Sequence, residues 1–290
     1  GKPSAIRLAA TRALVYAVDF AENNFRNMER DQKVIMQMVS EAATDPEDVQ
    51  IRQAAFECLV VIADEYYDKM QPYIEHMYVI SSEAIKKDEE VVALQAVEIW
   101  STLAELERVL VEERAEMPPE SPDLPAYLNI TAQASPALVP VLLEALTKQE
   151  DEEELDSSWN LSSAAAVCLG NVAAVAGNNI VPHVWPFVTD TFTRWATIAD
   201  WRFRDAATLA LGYILDGPDS VTMAPLVTSI LPALLQHMQP EHEAVVRVRD
   251  STAWTVGRVC DFLHGSDVQQ PVVTPETLPH IMSAAGVCMD

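Results

Sequence analysis

Six of the seven residues Glu150-Asp151-Glu152-Glu153-Glu154-Leu155-Asp156 carry carboxylates, and Trp159 follows after Ser157 and Ser158. Carboxylates this dense repel one another and do not build a packed element, so a loop over residues 149–158 is expected. Their chemistry is charge pairing with Lys or Arg, and an indole placed directly after them can stack on the aliphatic stem or the cation of the same side chain. A solvated linker is the other reading of the run, and ordinary core the other reading of Trp159. A second acidic feature is the pair Glu98 and Glu105, with Trp100 between them. Seven residues is close to two helical turns, which puts both carboxylates on one face. Solvated surface is the default for such a pair; a direction toward the inner side of the fold would make it a site for a basic ligand.

Bond-making chemistry finds no support. The histidines at 76, 183, 237, 242, 264 and 280 are scattered, and His237 and His242 have no other soft ligand near them in sequence, so no metal is expected. Gly212-Tyr-Ile-Leu-Asp-Gly217 has the glycine spacing of a phosphate loop, but Pro218-Asp219 stand where Lys and Ser or Thr are required. There is no Gly-x-Ser-x-Gly and no His-Glu-x-x-His. The reading is therefore a non-enzyme without cofactors.

The elements that must position these residues are announced by a recurring helix start: Arg7-Leu-Ala-Ala10, Arg52-Gln-Ala-Ala55, Arg204-Asp-Ala-Ala207 and Arg249-Asp-Ser-Thr252, each followed four residues on by Leu or Val, with an Arg-less variant at Ser162. Arg7 to Arg52 and Arg204 to Arg249 are both 45 residues, inside the range of HEAT and armadillo helical pairs. Such units bury their apolar faces only by stacking, which creates long surfaces for macromolecular partners. Each Arg-bearing helix, B, is preceded by a helix A that often carries proline: Pro136 and Pro140, Pro182 and Pro186, Pro225 and Pro232, Pro275 and Pro279. These prolines mark A-helix starts or bends. The pairs run B 3–22; A 29–44 with B 48–68; A 71–87 with B 89–114; A 126–148 with B 159–177; A 179–197 with B 201–216; A 221–238 with B 243–263; and A 272–288. That is one array over 1–290, about five complete repeats flanked by half repeats. Arg204-Asp205 and Arg249-Asp250 are expected to form charge ladders between successive B helices. Val34, Ile35 and Met38 on one A helix and Tyr73, Met77 and Tyr78 on the next read first as core; the alternative is a shallow groove between A helices that takes an aromatic side chain.

Composition agrees. Hydrophobic residues make up 49% of the chain while glycine occurs only 8 times in 290 residues, and alternating strands with hairpin glycines are missing, so the class is all-α. Cys58, Cys168, Cys260 and Cys288 stand singly in apolar stretches, which fits a reducing compartment. No run of about 18 apolar residues is present, so no membrane insertion is expected. Nineteen Lys and Arg against 44 Asp and Glu leave a formal charge of −25, which argues against nucleic acid and for basic protein partners.

Several segments together resemble the importin-β family of nuclear-import karyopherins. They are Val34-Ile-Met-Gln-Met-Val-Ser, Tyr66-Tyr67 with Met70 and Tyr73, Val92-Ala-Leu-Gln-Ala-Val-Glu-Ile-Trp100-Ser, the acidic run into Trp159-Asn160, Ile180-Val-Pro-His-Val, Asp200-Trp-Arg-Phe-Arg-Asp-Ala-Ala207, Gly217-Pro218, and Arg249-Asp-Ser-Thr-Ala-Trp-Thr-Val-Gly-Arg258. The resemblance implies a right-handed α-solenoid of HEAT repeats, and a fragment from the middle of the family's N-terminal half. It implies B helices on a concave face holding the importin-β-binding segment of importin-α, basic cargo or GTP-bound Ran, and A helices on a convex face gripping phenylalanine-glycine (FG) nucleoporins. Glu98, Glu105 and Trp159 match positions on the inner ligand path, and Tyr73 and Ile35 match outer nucleoporin-groove positions. Leu155, Ser157 and Ser158 interrupt a run that is more continuous in the family, and Val34 stands where relatives carry Phe. A monomer shuttling between cytoplasm and nucleus through the pore is the expectation; a structural scaffold of the protein-phosphatase regulatory-subunit type is the alternative.

Overall fold

A computed structural model of the chain describes residues 3–149, 159–265 and 268–289. Among them there is no strand, and the helices follow the expected alternation closely. The chain falls into two compact units, one of residues 1–134 with 159–164 and one of residues 135–158 with 165–290.

The first unit holds α1 (Ser4–Ala17), α2 (Glu22–Asn27), α3 (Glu29–Ala43), α4 (Val49–Glu65), α5 (Ile74–Lys87) and α6 (Glu90–Glu116), with the first turns of α7 (Ile130–Leu146) and α8 (Leu161–Ala176). Each A helix packs on its own B helix, α3 on α4 and α5 on α6, while α1, α4 and α6 pack on one another in series. Helix α4 shows why. Asp48 caps it by accepting from Gln50 N and Ile51 N, and Ile51, Ala55, Cys58, Leu59 and Ile62 recur at helical spacing and are fully buried. Burial pushes the Cys58 thiol up to about 12, so it is a core residue and not a reactive one. Trp100 of α6 is completely buried and donates Nε1 to Ser81 Oγ at 2.9 Å, with Tyr78 edge-on at 6.2 Å. The repeat arginines join successive helix pairs in a specific way. Arg7 of α1 pairs with Asp45 in the α3–α4 turn, and Arg52 of α4 forks onto Asp88 in the α5–α6 turn at 2.7 and 2.6 Å while donating to the Asp45 carbonyl at 3.0 Å.

The first B helix stops earlier than the sequence pattern suggests, at Ala17. Tyr66 donates its hydroxyl to the Val18 carbonyl at 2.7 Å, and the chain turns so that Phe25 of the extra short helix α2 stacks flat on the Tyr66 ring at 4.3 Å. A buried aromatic stack and a satisfied carbonyl outweigh a further turn of helix.

The second unit holds the rest of α7 and α8, then α9 (Val181–Arg194), α10 (Trp201–Ile214), α11 (Ser220–His237), α12 (Val246–Phe262) and α13 (Leu278–Met289). Pro182 and Pro279 sit in first turns, whereas Pro136, Pro140, Pro186, Pro225 and Pro232 lie inside helices and Pro275 precedes α13. Helix α13 begins at 278 and not 272, because Val272 N and Val273 N are held by the Leu263 carbonyl and Thr277 Oγ1 donates to the Val272 carbonyl. The apolar stretch 161–197 is long enough to cross a membrane by length and composition, but it is α8 and α9 joined at the positive-φ Gly177, with more than half of its most apolar window buried in the protein. Arg204 forks onto Glu243 in the α11–α12 turn at 2.7 and 3.0 Å and donates to the Ile198 carbonyl at 2.6 Å. The expected ladder between B helices is found in part: Asp205 of α10 pairs with Arg247 of α12 at 3.9 Å and accepts from Gln149, whereas Arg204 reaches Glu243 in the following A–B turn and not a carboxylate on the next B helix.

Candidate functional site: an acidic helix face and an exposed tryptophan

Helix α6 carries two sets of carboxylates on opposite sides. With ~100° per residue, Glu90, Glu98 and Glu105 fall within an arc of ~80°, whereas Glu107 lies roughly opposite. Burial follows that phase: Glu90, Glu98 and Glu105 are exposed and Glu107 is fully buried. Partial burial of the Glu98 carboxylate, and then the charge of Glu105, push the Glu98 pKa up.

Trp159 is 59% exposed at the mouth of α8, which excludes the core reading. Its surroundings are fixed by the helix start. Asn160 caps α8 through Oδ1, which accepts from Ser163 N at 2.9 Å, and Leu161 N donates to Glu90 Oε1 at 2.9 Å. The head of α8 is thus attached to the Glu90 end of the acidic face. Glu150, Asp151, Glu152, Glu153, Glu154 and Asp156 lie outside the described residues. At their upstream border, Gln149 Nε2 donates to Asp205 at 2.8 Å and Arg202 Nε donates to the Gln149 carbonyl at 2.7 Å.

On the other side of α6, Glu107 accepts from Tyr67 OH at 2.6 Å, from Thr131 N at 3.0 Å, and from Ile130 N and Thr131 Oγ1. Tyr67 OH also accepts from Leu128 N at 2.7 Å, and its own pKa rises through burial and then the Glu107 bond. This clasp caps α7 and fixes the end of the proline-rich connection, whose Pro125 carbonyl accepts from Arg114. Neither Glu90 nor Glu107 stands out in the sequence; only the helical phase separates their roles from those of Glu98 and Glu105.

The outer-helix candidates divide. Tyr73 and His76 with Met36, Gln37, Ser40 and Lys33 line a groove of about 400 Å³ between α3 and α5. Met38, 60% exposed, lines a separate groove of about 300 Å³ against α1. Val34 is exposed and Ile35 half-buried, and neither lines these two grooves. Met77 is 1% exposed and belongs to the core, because it faces into the α5–α6 contact; Tyr78 is engaged with Trp100. Sequence reading also passed over Trp254 of α12, 39% exposed, tilted on Tyr213 at 4.8 Å with Arg258 5.8 Å from its ring. Its place inside the Arg249 repeat was the available signal. Among the described residues no three His, Cys, Asp or Glu converge as a metal site would need.

Paired helices, apolar B helices in series and Arg-to-turn ladders define a HEAT-repeat protein, and the model of a HEAT-like repeat matches residues 201–259. The chain is 44% identical over 280 residues to importin subunit beta-1 of Arabidopsis thaliana, covering 96% of this chain and 31% of that protein. Among solved structures it is similar to Kap95p, the yeast importin-β, in a structure described by its binding inducing the switch loops of RanGDP to adopt the GTP-bound conformation, with TM-score 0.87, 34% identity, and 99% and 31% of the two chains covered. It is similar also to the Kap95:Nup1 complex, with TM-score 0.86, 35% identity, and 98% and 31% covered. The chain belongs to the importin-β family and spans about a third of the length of the relatives it matches.

Proposed function

We propose that this chain is a ligand-binding stretch of a nuclear import receptor. Glu98, Glu105 and Trp159, and by its charge the acidic run Glu150–Glu154 with Asp156, take basic segments: the importin-β-binding segment of importin-α, a basic cargo, or a surface of GTP-bound Ran. Its outer grooves, at Tyr73 and Met38 with Val34 and Ile35 nearby, take phenylalanine side chains of FG nucleoporins. The reading is of a carrier without enzymatic chemistry or cofactor, working between cytoplasm, nuclear pore and nucleus. The observation that carries it is the exposure of a tryptophan at a helix start joined to an acidic helix face, in a chain of this family and of charge −25. The named subjects of the similar structures, RanGDP and Nup1, support the partner classes.

Binding kinetics of a Lys/Arg-rich peptide provide the test. Changing Glu150–Glu154 to Gln should slow association and flatten its salt dependence, since exposed pairs are each worth only ~0.2–1 kcal/mol but clustered charge raises on-rates roughly 10-fold or more. Trp159→Ala should mainly speed dissociation, by ~2 kcal/mol if the indole is a buried anchor in the complex. Tyr73→Ala and Met38→Asp should lower retention on FG repeats without altering peptide affinity. Unchanged peptide kinetics in both acidic-run and Trp159 variants would leave the scaffold reading in its place.

A further inference from the structure

We propose that Glu90 is a positioning residue for the basic-ligand site, holding Trp159 on the Glu98–Glu105 face of α6; this rests on the function proposed above. The first four N–H groups of a helix lack intrahelical partners, and at α8 side chains take Ser163 N, through the cap Asn160, and Leu161 N, through Glu90 from another helix. Asn160 can only shape the helix start itself. Glu90 is what ties that start to α6, and Trp159 is two residues upstream of the tie.

The placement of Glu90 gives the bond its meaning. It lies in the first turn of α6, on the same arc as Glu98 and Glu105, which follow at ~12 Å and ~22 Å along the axis at 1.5 Å per residue. A carboxylate between the N-termini of α6 and α8 is favourable to both helix dipoles, so the contact is electrostatically favoured from either side. Trp159 therefore stands at the head of an acidic track. A basic segment that stacks one cationic side chain on the indole meets Glu98 and then Glu105 at spacings an extended peptide, ~3.3 Å per residue, crosses in about three to four residues. Were the head of α8 free to fray, the indole would sample orientations off that track and the stacked state would be occupied less.

Two substitutions separate positioning from simple charge. Glu90→Gln keeps a carbonyl oxygen for Leu161 N and removes the charge, while Glu90→Ala removes both. With a Lys/Arg-rich peptide as probe, Glu90→Gln should leave the dissociation rate within about 2-fold of the parent and keep amide protection in residues 160–164. Glu90→Ala should speed dissociation about 5-fold or more and lose that protection, with the melting transition otherwise intact. Equal effects of Gln and Ala would assign Glu90 to charge attraction and overturn the proposal, as would unchanged kinetics in Glu90→Ala. Trp159→Ala is the reference: if it accelerates dissociation and Glu90→Ala does not, only the positioning role falls, whereas if Trp159→Ala is itself without effect, the site and the role of Glu90 fall together.

Discussion

Single residues in the second unit show how narrow the tolerances are. A Cβ on Gly212 of α10 would run into the Trp254 ring and come within 2.8 Å of Thr255 Oγ1, so the glycine exists to let α12 approach α10. Gly212→Ala should cost ~1–3 kcal/mol through forced displacement of Trp254, read by urea denaturation and by a change in tryptophan emission. His237 is a second case. It stacks on Trp195 at 3.9 Å, its Nδ1 is buried without a hydrogen-bond partner, and burial depresses its pKa to about 4 despite the opposing pull of Glu243, with His242 and Arg204 adding to the depression. The native state thus stays neutral where the unfolded chain, near 6.5, takes up a proton, so this residue costs stability as pH falls from ~6.5 toward ~4. His237→Phe keeps the stack and removes the titration. Its stability advantage over the parent should be near zero or negative at pH 7.5 and grow by roughly 2 kcal/mol by pH 4.5, measured by chemical denaturation at each pH.

At the scale of helices, the joints differ in what they are made of. Around α4 and α10 a repeat arginine reaches a turn carboxylate, Asp88 or Glu243, and both ends keep some contact with solvent in the first case. Around α6 the polarity is reversed: the helix has no repeat arginine, and its carboxylates Glu90 and Glu107 cap the two helices that follow. Glu107 is surrounded by donors only, from Tyr67, Ile130 and Thr131, so an amide in its place would turn a donor against donors. Glu107→Gln should therefore destabilise by about 2–4 kcal/mol, nearly as much as Glu107→Ala, and speed amide exchange at Ile130 and Thr131. Arg52→Ala, which strands a half-buried Asp88, should cost less, ~1–3 kcal/mol, because water can reach the carboxylate.

For the molecule as a whole the governing quantity is the charge of −25. Excess like charge destabilises the compact state and at the same time draws in basic ligands, and both effects are screened over ~10 Å at 0.1 M salt. Raising sodium chloride from low to ~0.3 M should consequently raise the thermal midpoint while lowering the association rate of a basic peptide by roughly 10-fold or more. Calorimetry and stopped-flow on the same preparation would show the two trends moving in opposite directions; parallel trends would mean that the surface charge is not what steers the ligand.

The sequence by itself determined the repeat class and the order of A and B helices, because the 45-residue Arg period and the helical spacing of apolar residues are local properties that the chain carries in its own register, and it carried the family through the resemblance of its segments. It also singled out Glu98, Glu105 and Trp159, whose residue types limit what they can do. Tertiary structure alone decided which face each residue joined. Met77 and Met38 are the same residue type on successive A helices, yet one is core and the other open, because the residues fall at different phases relative to the B helix on which each A helix packs, α6 for α5 and α4 for α3. Glu105 and Glu107 are two positions apart, and the ~200° between them makes one an accessible acid and the other a buried clasp. The Leu161 to Glu90 bond joins residues 71 positions apart, a distance over which no spacing rule operates and only the folded chain brings donor to acceptor.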